Sequence, residues 1–270
     1  MKFSRAAALA ALILFTGLAC GRSDPEQARE IPAAKADPAP DPAPSPDPGL
    51  WQKAVEIYHA NRDWYPEKAA IVSEVRNGRN KLLSLTEMFL TLRPGGPARL
   101  DRSLRNGVDT TAKTRSKAKV RDLLEGIADG ENNPFAISMS DSPFDPDRQA
   151  AVSVTPREGT KVLRGRSCRL FDFRFSSGLK KGGRPVIWLG QAWLEDQSGM
   201  PVELAFSVSP MPGKIRSAKM VYRYETEPGP CVVKEMAIAG TGRFLFIKRH
   251  FKVTTTFSQY RRAASAAVKR

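Results

Sequence analysis

Side chains that could carry acid–base or metal chemistry are few and far apart in this chain. Apart from Glu56, one helical turn before His59, neither His59 nor His250 has a cysteine or carboxylate at a metal-ligand spacing. Glu195 and Asp196 are adjacent carboxylates, but neighbouring strand residues point to opposite faces, which argues against a catalytic pair. The sequence also contains no nucleophile elbow, phosphate-binding loop or dinucleotide fingerprint. We therefore expect a protein that is not an enzyme and uses no cofactor or metal.

Cys20 stands in a sequence that predicts export and lipid attachment. Lys2 and Arg5 precede an uncharged apolar stretch, residues 6–15, which has the length of a signal-peptide core and is too short to span a bilayer. The following Gly17-Leu18-Ala19-Cys20 resembles the bacterial lipoprotein signal. That resemblance implies that Cys20 becomes the acylated first residue of the mature chain. The same residues also fit ordinary secretory cleavage after a small residue. Both interpretations export the protein.

Cys168 and Cys231 remain if Cys20 is acylated. Export would place them in an oxidising compartment, where an even number of cysteines favours a disulfide. Such a bridge would close a loop of about 60 residues and stabilise the fold by roughly 4 kcal/mol in the chain-entropy model. We predict this disulfide. Because the sequence gives no distance between the two residues, two separate buried thiols are the alternative.

Positive charge accumulates towards the C-terminus. The chain has 43 Lys and Arg against 28 Asp and Glu, a net charge of +15. No acidic residue follows Glu235, whereas Arg and Lys continue to the last residue. Because export separates the chain from nucleic acid, anionic lipid headgroups or an acidic envelope protein are the expected partners. The alternative is a solvated basic surface without a partner.

Composition divides the chain into four parts. We assign residues 1–19 to the signal peptide, 20–49 to a lipid-anchored Pro-rich tether, 50–257 to one β-rich domain and 258–270 to a basic C-terminal tail. Alternating prolines at 37–48 favour polyproline II and exclude regular helix. Fully extended, the tether would reach roughly 90 Å at ~3.1 Å per residue. It therefore predicts a spacer between the anchor and the domain.

Helical and strand periodicities alternate in the first half of the domain. Pro66 limits the first helix, and the pairs Asn77-Gly78 and Asn106-Gly107 are signals of two-residue hairpin turns. Residues 129–150 are irregular but carry apolar side chains such as Phe144, so they are expected to pack on the domain or to cover a site. The predicted elements before residue 129 are a helix at 51–62, strands at 68–76 and 79–92, strands within 98–113, and a helix at 117–128.

From residue 152 onward the alternation of apolar and polar residues predicts continuous antiparallel sheet. Phe171, Phe173 and Phe175, for example, fall on one face of a strand. The predicted strands lie at 168–175, 185–195, 200–208, 215–226, 232–239 and 243–257. About ten strands with two helices predict an α+β, mainly β fold, namely a highly curved antiparallel sheet or unclosed β-barrel with the helices in or over its concave face.

Two segments carry a family resemblance. They are Gly165-Arg-Ser-Cys-Arg-Leu-Phe-Asp-Phe173 and Gly190-Gln-Ala-Trp-Leu-Glu-Asp-Gln-Ser-Gly-Met-Pro201, a Trp-containing strand that meets an acidic turn and a proline. They resemble the LolA/LolB superfamily of periplasmic lipoprotein carriers and receptors, in the broad form called outer-membrane lipoprotein-sorting-like. The order of predicted elements agrees over nearly the whole domain. The resemblance implies an unclosed β-barrel with a helical lid and an apolar cavity for a lipid or a lipid-modified chain.

Two hypotheses for the function follow. In the first, the chain is a lipoprotein of the outer membrane facing the periplasm, since Gly21 is not Asp, and it binds lipid or an acylated lipoprotein during sorting or transport. In the second, it is a structural or interaction module that binds an envelope partner through its basic face, and the large apolar side chains only fill the core. The candidate cavity residues are Phe173, Trp193, Phe206 and Met220 on strands and Val120, Leu124 and Ile127 on the second helix.

Overall fold

A computed structural model describes most of the predicted domain. The described residues are 49–93, 96–118, 120, 124, 142–181, 184–211, 215–225, 229–244 and 247–263. The predicted signal peptide, Cys20 and residues 20–48 of the predicted tether lie outside this range, as do Ile127 and most of the predicted second helix. Gly49, assigned to the tether from the sequence, begins the first helix. None of the helices within these ranges has the length and hydropathy needed to cross a bilayer.

The elements whose bounds are described are two α-helices, one 3₁₀ helix and eleven strands, and Ala118, Val120 and Leu124 are also helical. The bounds of the elements are α1 (Gly49–Asn61), β1 (Trp64–Asn77), β2 (Leu82–Arg93), β3 (Gly96–Arg105), β4 (Val108–Asp109), α2 (Thr111–Arg115), the 3₁₀ helix (Pro146–Ala151), β5 (Val152–Leu163), β6 (Arg166–Lys181), β7 (Arg184–Glu195), β8 (Pro201–Ser209), β9 (Ile215–Tyr224), β10 (Val233–Phe244) and β11 (Ile247–Arg262).

All eleven strands belong to one antiparallel sheet. Their order is β4-β3-β2-β1-β11-β10-β9-β8-β7-β6-β5, so that two meanders meet where the first strand of the domain pairs with the last. This pairing runs from Trp64 opposite Arg262 to Asn77 opposite Arg249. The sheet is not closed, because β4 and β5 form its two edges. The predicted fold class, a mainly β fold built on an unclosed antiparallel sheet, is confirmed.

The first hairpin forms where it was predicted, but through a longer turn. The side-chain oxygen of Asn77 accepts hydrogen bonds from the backbone N–H groups of Arg79 and Lys81, at 3.0 and 2.9 Å. Asn80 takes the left-handed conformation, with φ of 63°. Asparagine side chains often accept hydrogen bonds from the backbone of a turn, and asparagine tolerates the left-handed conformation. The connection therefore spans residues 78–81, and β2 begins three residues later than predicted.

The strands predicted within 98–113 end early. Asn106-Gly107 does connect β3 to β4, but Thr111 begins α2 instead of continuing a strand. The Thr111 N–H donates to Asp109 Oδ1 at 2.8 Å, and the Thr111 hydroxyl accepts from the Ser103 N–H at 2.9 Å. Such local side-chain bonds compete with a strand ladder, which explains the wrong assignment.

The C-terminal boundary of the domain also lies later than predicted. β11 continues to Arg262, so residues 258–262 belong to the sheet and not to the basic tail. Tyr260 pairs with Pro66 on β1, and its hydroxyl donates to the Val233 carbonyl. Pro66 thus lies inside a strand, although it follows the end of α1 closely.

The core lies between the sheet and α1. Leu50, Trp51, Ala54 and Val55 of α1 are buried against the strands. The first turn of the helix rests on the β7–β8 turn at Gly199, whose φ is +75°. A Cβ at this position would lie 2.6 Å from Lys53 Cβ, so only glycine allows the helix to approach so closely.

Candidate apolar binding face

The face of the sheet that carries α1 and the core is called here the inner face. Its buried residues alternate with more exposed ones along strands such as β1, β3 and β11, as expected for a sheet with one dry side. On β6, the predicted row of Phe171, Phe173 and Phe175 is buried, and the three residues pair with Ala192, Gly190 and Trp188 of β7. The apolar surface continues through Ile71 on β1, Leu90 on β2, Leu100 on β3, Leu204 on β8, Tyr222 on β9, Met236 on β10 and Phe257 on β11.

Aromatic side chains dominate the inner face from β6 to β9. Trp188 stacks on Phe206 with ring centroids 4.4 Å apart and an interplanar angle of 7°. Phe206 also meets Tyr222 edge-on at 5.1 Å, and Phe175 meets Trp188 edge-on at 5.4 Å. Pairs of this kind contribute about 0.5–1.5 kcal/mol each beyond the area that they bury. This half of the face is therefore well packed by its own side chains.

A short segment before β5 packs between α1 and the aromatic strands. Phe144 is fully buried, with its ring 4.8 Å from Trp51 and 6.4 Å from Tyr224. Trp51 Nε1 donates to Gln149 Oε1 at 3.1 Å, and Gln149 Nε2 donates to the carbonyls of Pro143 and Asp145. The described part of the irregular segment thus packs on the domain.

Five of the seven predicted cavity residues face the core. Phe173 and Phe206 are buried on the inner face, 6.3 Å apart between ring centroids. Met220 pairs with Phe206 and Ile238 and packs against the same cluster. Val120 is buried, and Leu124 also packs against this cluster. Ile127 lies outside the described residues.

Trp193 was placed on the wrong face. Its neighbours Ala192 and Leu194 are fully buried, so Trp193 points to the opposite, outer face of β7. There the Lys161 ammonium lies 5.7 Å from the centre of its ring, in a cation–π contact. Trp188 and Trp193 are five residues apart, an odd spacing that puts the two side chains on opposite sides of a strand.

Ser73 is a buried polar residue of the inner face that the sequence pattern did not single out. It lies on β1 between Ile71 and Val75, and only 2% of its surface is exposed. Its hydroxyl has no hydrogen-bond partner in the described structure. A buried hydroxyl without a partner costs about 1–3 kcal/mol. The only feature of the sequence that indicated the burial of Ser73 was its position between apolar residues of an alternating strand.

The predicted disulfide is absent: Cys168 and Cys231 are free cysteines. Cys168 lies on the opposite side of β6 from Phe171, and its Sγ donates to the Arg166 carbonyl at 3.4 Å. Cys231 packs against the core in the connection between β9 and β10. Burial raises the pKa of both thiols, and that of Cys231 to about 12. The alternative of two separate thiols is therefore correct in this structure.

The two adjacent carboxylates do not form a pair. Glu195 binds Arg166 at 2.7 Å, whereas Asp196 binds Arg169. Within the described ranges, no three His, Cys, Asp or Glu side chains come together as a metal site would require. The arrangement that this domain offers is therefore its apolar inner face.

Comparison with known proteins finds similarity at the level of structure. No protein-family model matches the sequence. No curated protein matches it either. The structure is similar to an outer membrane lipoprotein-sorting protein domain from Vibrio parahaemolyticus, with 9% identity and a TM-score of 0.32 over 81% of this chain and 95% of that one.

Two further similar structures contain MucB. One is the MucA/MucB complex of Pseudomonas aeruginosa, with 8% identity and a TM-score of 0.22 over 80% of this chain and 100% of that one. The other is MucB in complex with MucA(peri), with 8% identity and a TM-score of 0.22 over 81% and 100%. TM-scores this low give no indication of what this chain binds.

Proposed function

We propose that this chain is a non-enzymatic binding protein of the bacterial cell envelope. In this proposal, acylated Cys20 holds it at the outer membrane facing the periplasm, and the inner face of its sheet takes up the acyl chain of a lipid or an acylated lipoprotein. The observation that carries the proposal is the apolar inner face, which runs from Leu100 on β3 through Phe257 on β11 to Phe175 on β6.

The chemistry of this face suits an acyl chain. Each methylene removed from water contributes about 0.8 kcal/mol, so a chain of about sixteen carbons would gain on the order of 10 kcal/mol. The Ser73 hydroxyl, buried and unpaired among apolar neighbours, could donate to the ester or amide carbonyl that heads such a chain. Binding would therefore remove the acyl chain from water and give this one polar group a partner.

Native mass spectrometry of the chain purified after mild extraction is the first test. Co-purifying mass in the range of a phospholipid or an acylated peptide supports the proposal. An apo mass alone, together with no uptake of added fatty acid, contradicts it.

Tryptophan quenching locates the ligand. Trp188 lies on the inner face and Trp193 on the outer face, so a brominated fatty acid bound to the inner face should quench Trp188. Trp51 also packs on the inner face, so the test uses a chain with Trp51→Phe and Trp64→Phe, in which Trp188 and Trp193 are the remaining tryptophans. In that chain we expect Trp193→Phe to retain the quenching and Trp188→Phe to lose most of it. The two variants make the same change on opposite faces. The reverse result would place the ligand on the outer side and overturn the proposal.

The second candidate is an interaction module that binds an envelope partner through its basic surface. The close packing of Trp188, Phe206 and Tyr222 favours it, because these side chains already fill the space next to β6–β9. In that case the fatty acid would quench neither tryptophan, and the protein would purify without lipid.

A further inference from the structure

One rim of the sheet collects positively charged side chains from several hairpins. In an antiparallel meander every second turn lies at the same rim, which here joins the β1–β2, β3–β4 and β10–β11 turns. Arg76 pairs with His250, and a Cβ on Gly78 would lie 3.8 Å from Lys248 Cβ. We call this end of the sheet the basic rim. Its cations include Arg76, Arg79, Lys81, Arg105, Lys248 and Lys252.

Few carboxylates neutralise this rim. Among its described residues, Glu74 binds Arg76 at 2.8 Å, and Asp109 lies 3.5 Å from Arg102. The opposite rim differs, because four of its cations form ion pairs. These are Arg261 with Glu67, Lys234 with Glu225, Arg166 with Glu195 and Arg169 with Asp196. The surplus of positive charge is therefore concentrated at one end of the sheet.

Exposed apolar side chains lie on the same rim. Leu82 and Leu83 follow Lys81 directly and are each 43% exposed, and Val108 beside Arg105 is 66% exposed. Adjacent exposed leucines have no role in binding a soluble polyanion. Cations beside exposed leucines instead match a lipid surface, whose headgroups carry phosphates and whose acyl region begins just below.

We infer that the basic rim is a docking surface for an anionic phospholipid leaflet. Arg79 and Lys81 would meet headgroup phosphates, while Leu82 and Leu83 enter the boundary between headgroups and acyl chains. The N-terminus of α1, which the tether precedes, contacts Gly199 at the opposite rim. The proposed tether therefore joins the domain at the rim away from the basic rim, and docking depends on the contacts of the basic rim itself. This inference does not depend on acyl binding at the inner face.

Vesicle cosedimentation of the full chain carrying Cys20→Ser tests the charge. We expect binding to phosphatidylcholine vesicles that contain phosphatidylglycerol, little binding to phosphatidylcholine alone, and release at about 1 M salt. Arg79→Gln with Lys81→Gln should lower the affinity about tenfold or more. The matched control is Arg62→Gln with Arg262→Gln, which removes two exposed charges at the opposite rim and should change little. Equal losses in both double variants, or no binding to anionic vesicles, would overturn the inference.

The leucines distinguish a membrane from another anionic partner. Leu82→Ser with Leu83→Ser should weaken vesicle binding about tenfold and leave binding to polyphosphate unchanged. Val162→Ser, at a 70% exposed position of the edge strand β5, is the control and should have no effect. If the leucine variant binds vesicles as the parent chain does, the rim binds a polyanion or an acidic protein and the inference fails. A fluorophore on Leu83→Cys, shifted to the blue by anionic vesicles only, provides a reading in a chain that keeps Leu82.

Discussion

Two large aromatic residues, Trp193 on β7 and Phe206 on β8, lie on opposite faces of the sheet. Phe206 is 2% exposed and contacts Trp188, Phe173 and Tyr222 on the inner face. Trp193, equally large, lies on the outer face under Lys161. Size and apolar character therefore do not distinguish a core aromatic from a surface aromatic in this sheet.

Carboxylate substitutions test this assignment. Phe206→Glu would bury an unpaired charge and should cost about 4 kcal/mol or more, enough to unfold a domain of ordinary stability. Trp193→Glu should fold and lose about 1 kcal/mol or less, mainly its contact with Lys161. Urea denaturation followed by far-UV circular dichroism measures both. An unfolded Trp193→Glu beside a folded Phe206→Glu would show that the faces are reversed.

The thiols offer a second test at the residue scale. Since burial raises the pKa of Cys168 and raises that of Cys231 to about 12, both should resist a thiol reagent at pH 8 in the folded Cys20→Ser chain. Both should react after denaturation without a reductant. A denatured chain with no reactive thiol would instead contain the disulfide that the sequence predicted.

The same pKa shift gives the direction of a pH dependence. The Cys231 thiol ionises near 9.0 when unperturbed and near 12 in the folded protein, so the native state retains a proton that the unfolded chain releases. The contribution of the Cys231 thiol to the free energy of unfolding is therefore at its full value below pH 9, and it decreases as the pH rises towards 12. Cys231→Ala should reduce this fall in urea melts at pH 8 and pH 10.5. An unchanged slope would mean that other groups, such as buried tyrosines, produce it.

At the scale of elements, α1 is held where its first turn meets the β7–β8 turn. Gly199 and Gly165 have similar positive φ values, 75° and 79°, but only Gly199 faces the helix. Gly165→Ala should therefore cost about 1 kcal/mol from backbone strain. Gly199→Ala should cost about 2 kcal/mol more, because the added methyl group meets Lys53 Cβ and the Leu50 carbonyl. Thermal and urea melts compare the two. Equal losses of stability in the two variants would show that α1 moves away from the added methyl group at no cost in free energy.

At the scale of the whole molecule, the proposed anchor and the folded domain are separate. We expect Cys20→Ser to move the protein to the soluble periplasmic fraction, because an acyl anchor contributes about 0.8 kcal/mol per buried methylene. Fractionation after a high-salt wash excludes retention through the basic rim, and mass spectrometry of the mature N-terminus identifies the acyl group. If the variant stays with membranes after this wash and the parent chain carries no acyl mass, Cys20 is not an anchor.

Local periodicity was sufficient for much of the architecture. Alternation identified the strands from β6 to β11, and helical spacing identified α1 within two residues at its start. It also placed Phe171, Phe173 and Phe175 on one face, where they are buried together. These predictions succeeded because side-chain direction in a strand or helix depends on neighbouring residues alone. The local hydrogen bonds of Asn77 and Thr111 delayed the start of β2 and replaced the end of a predicted strand by α2. β10 also continues to Phe244, past its predicted end at residue 239.

Tertiary structure alone decided which face became the core and what met there. Alternation divides the residues of a strand into two sets, but only packing against α1 makes one set the inner face, so Trp193 could not be assigned from β7 itself. The pairing of β1 with β11 joins parts of the chain nearly the whole domain apart, and it buries Ser73 beside Val253. The basic rim has the same origin. Its cations come from three turns that are far apart in the sequence, near residues 76–83, 105–108 and 248–252, and they meet because an antiparallel sheet brings alternate turns to one end.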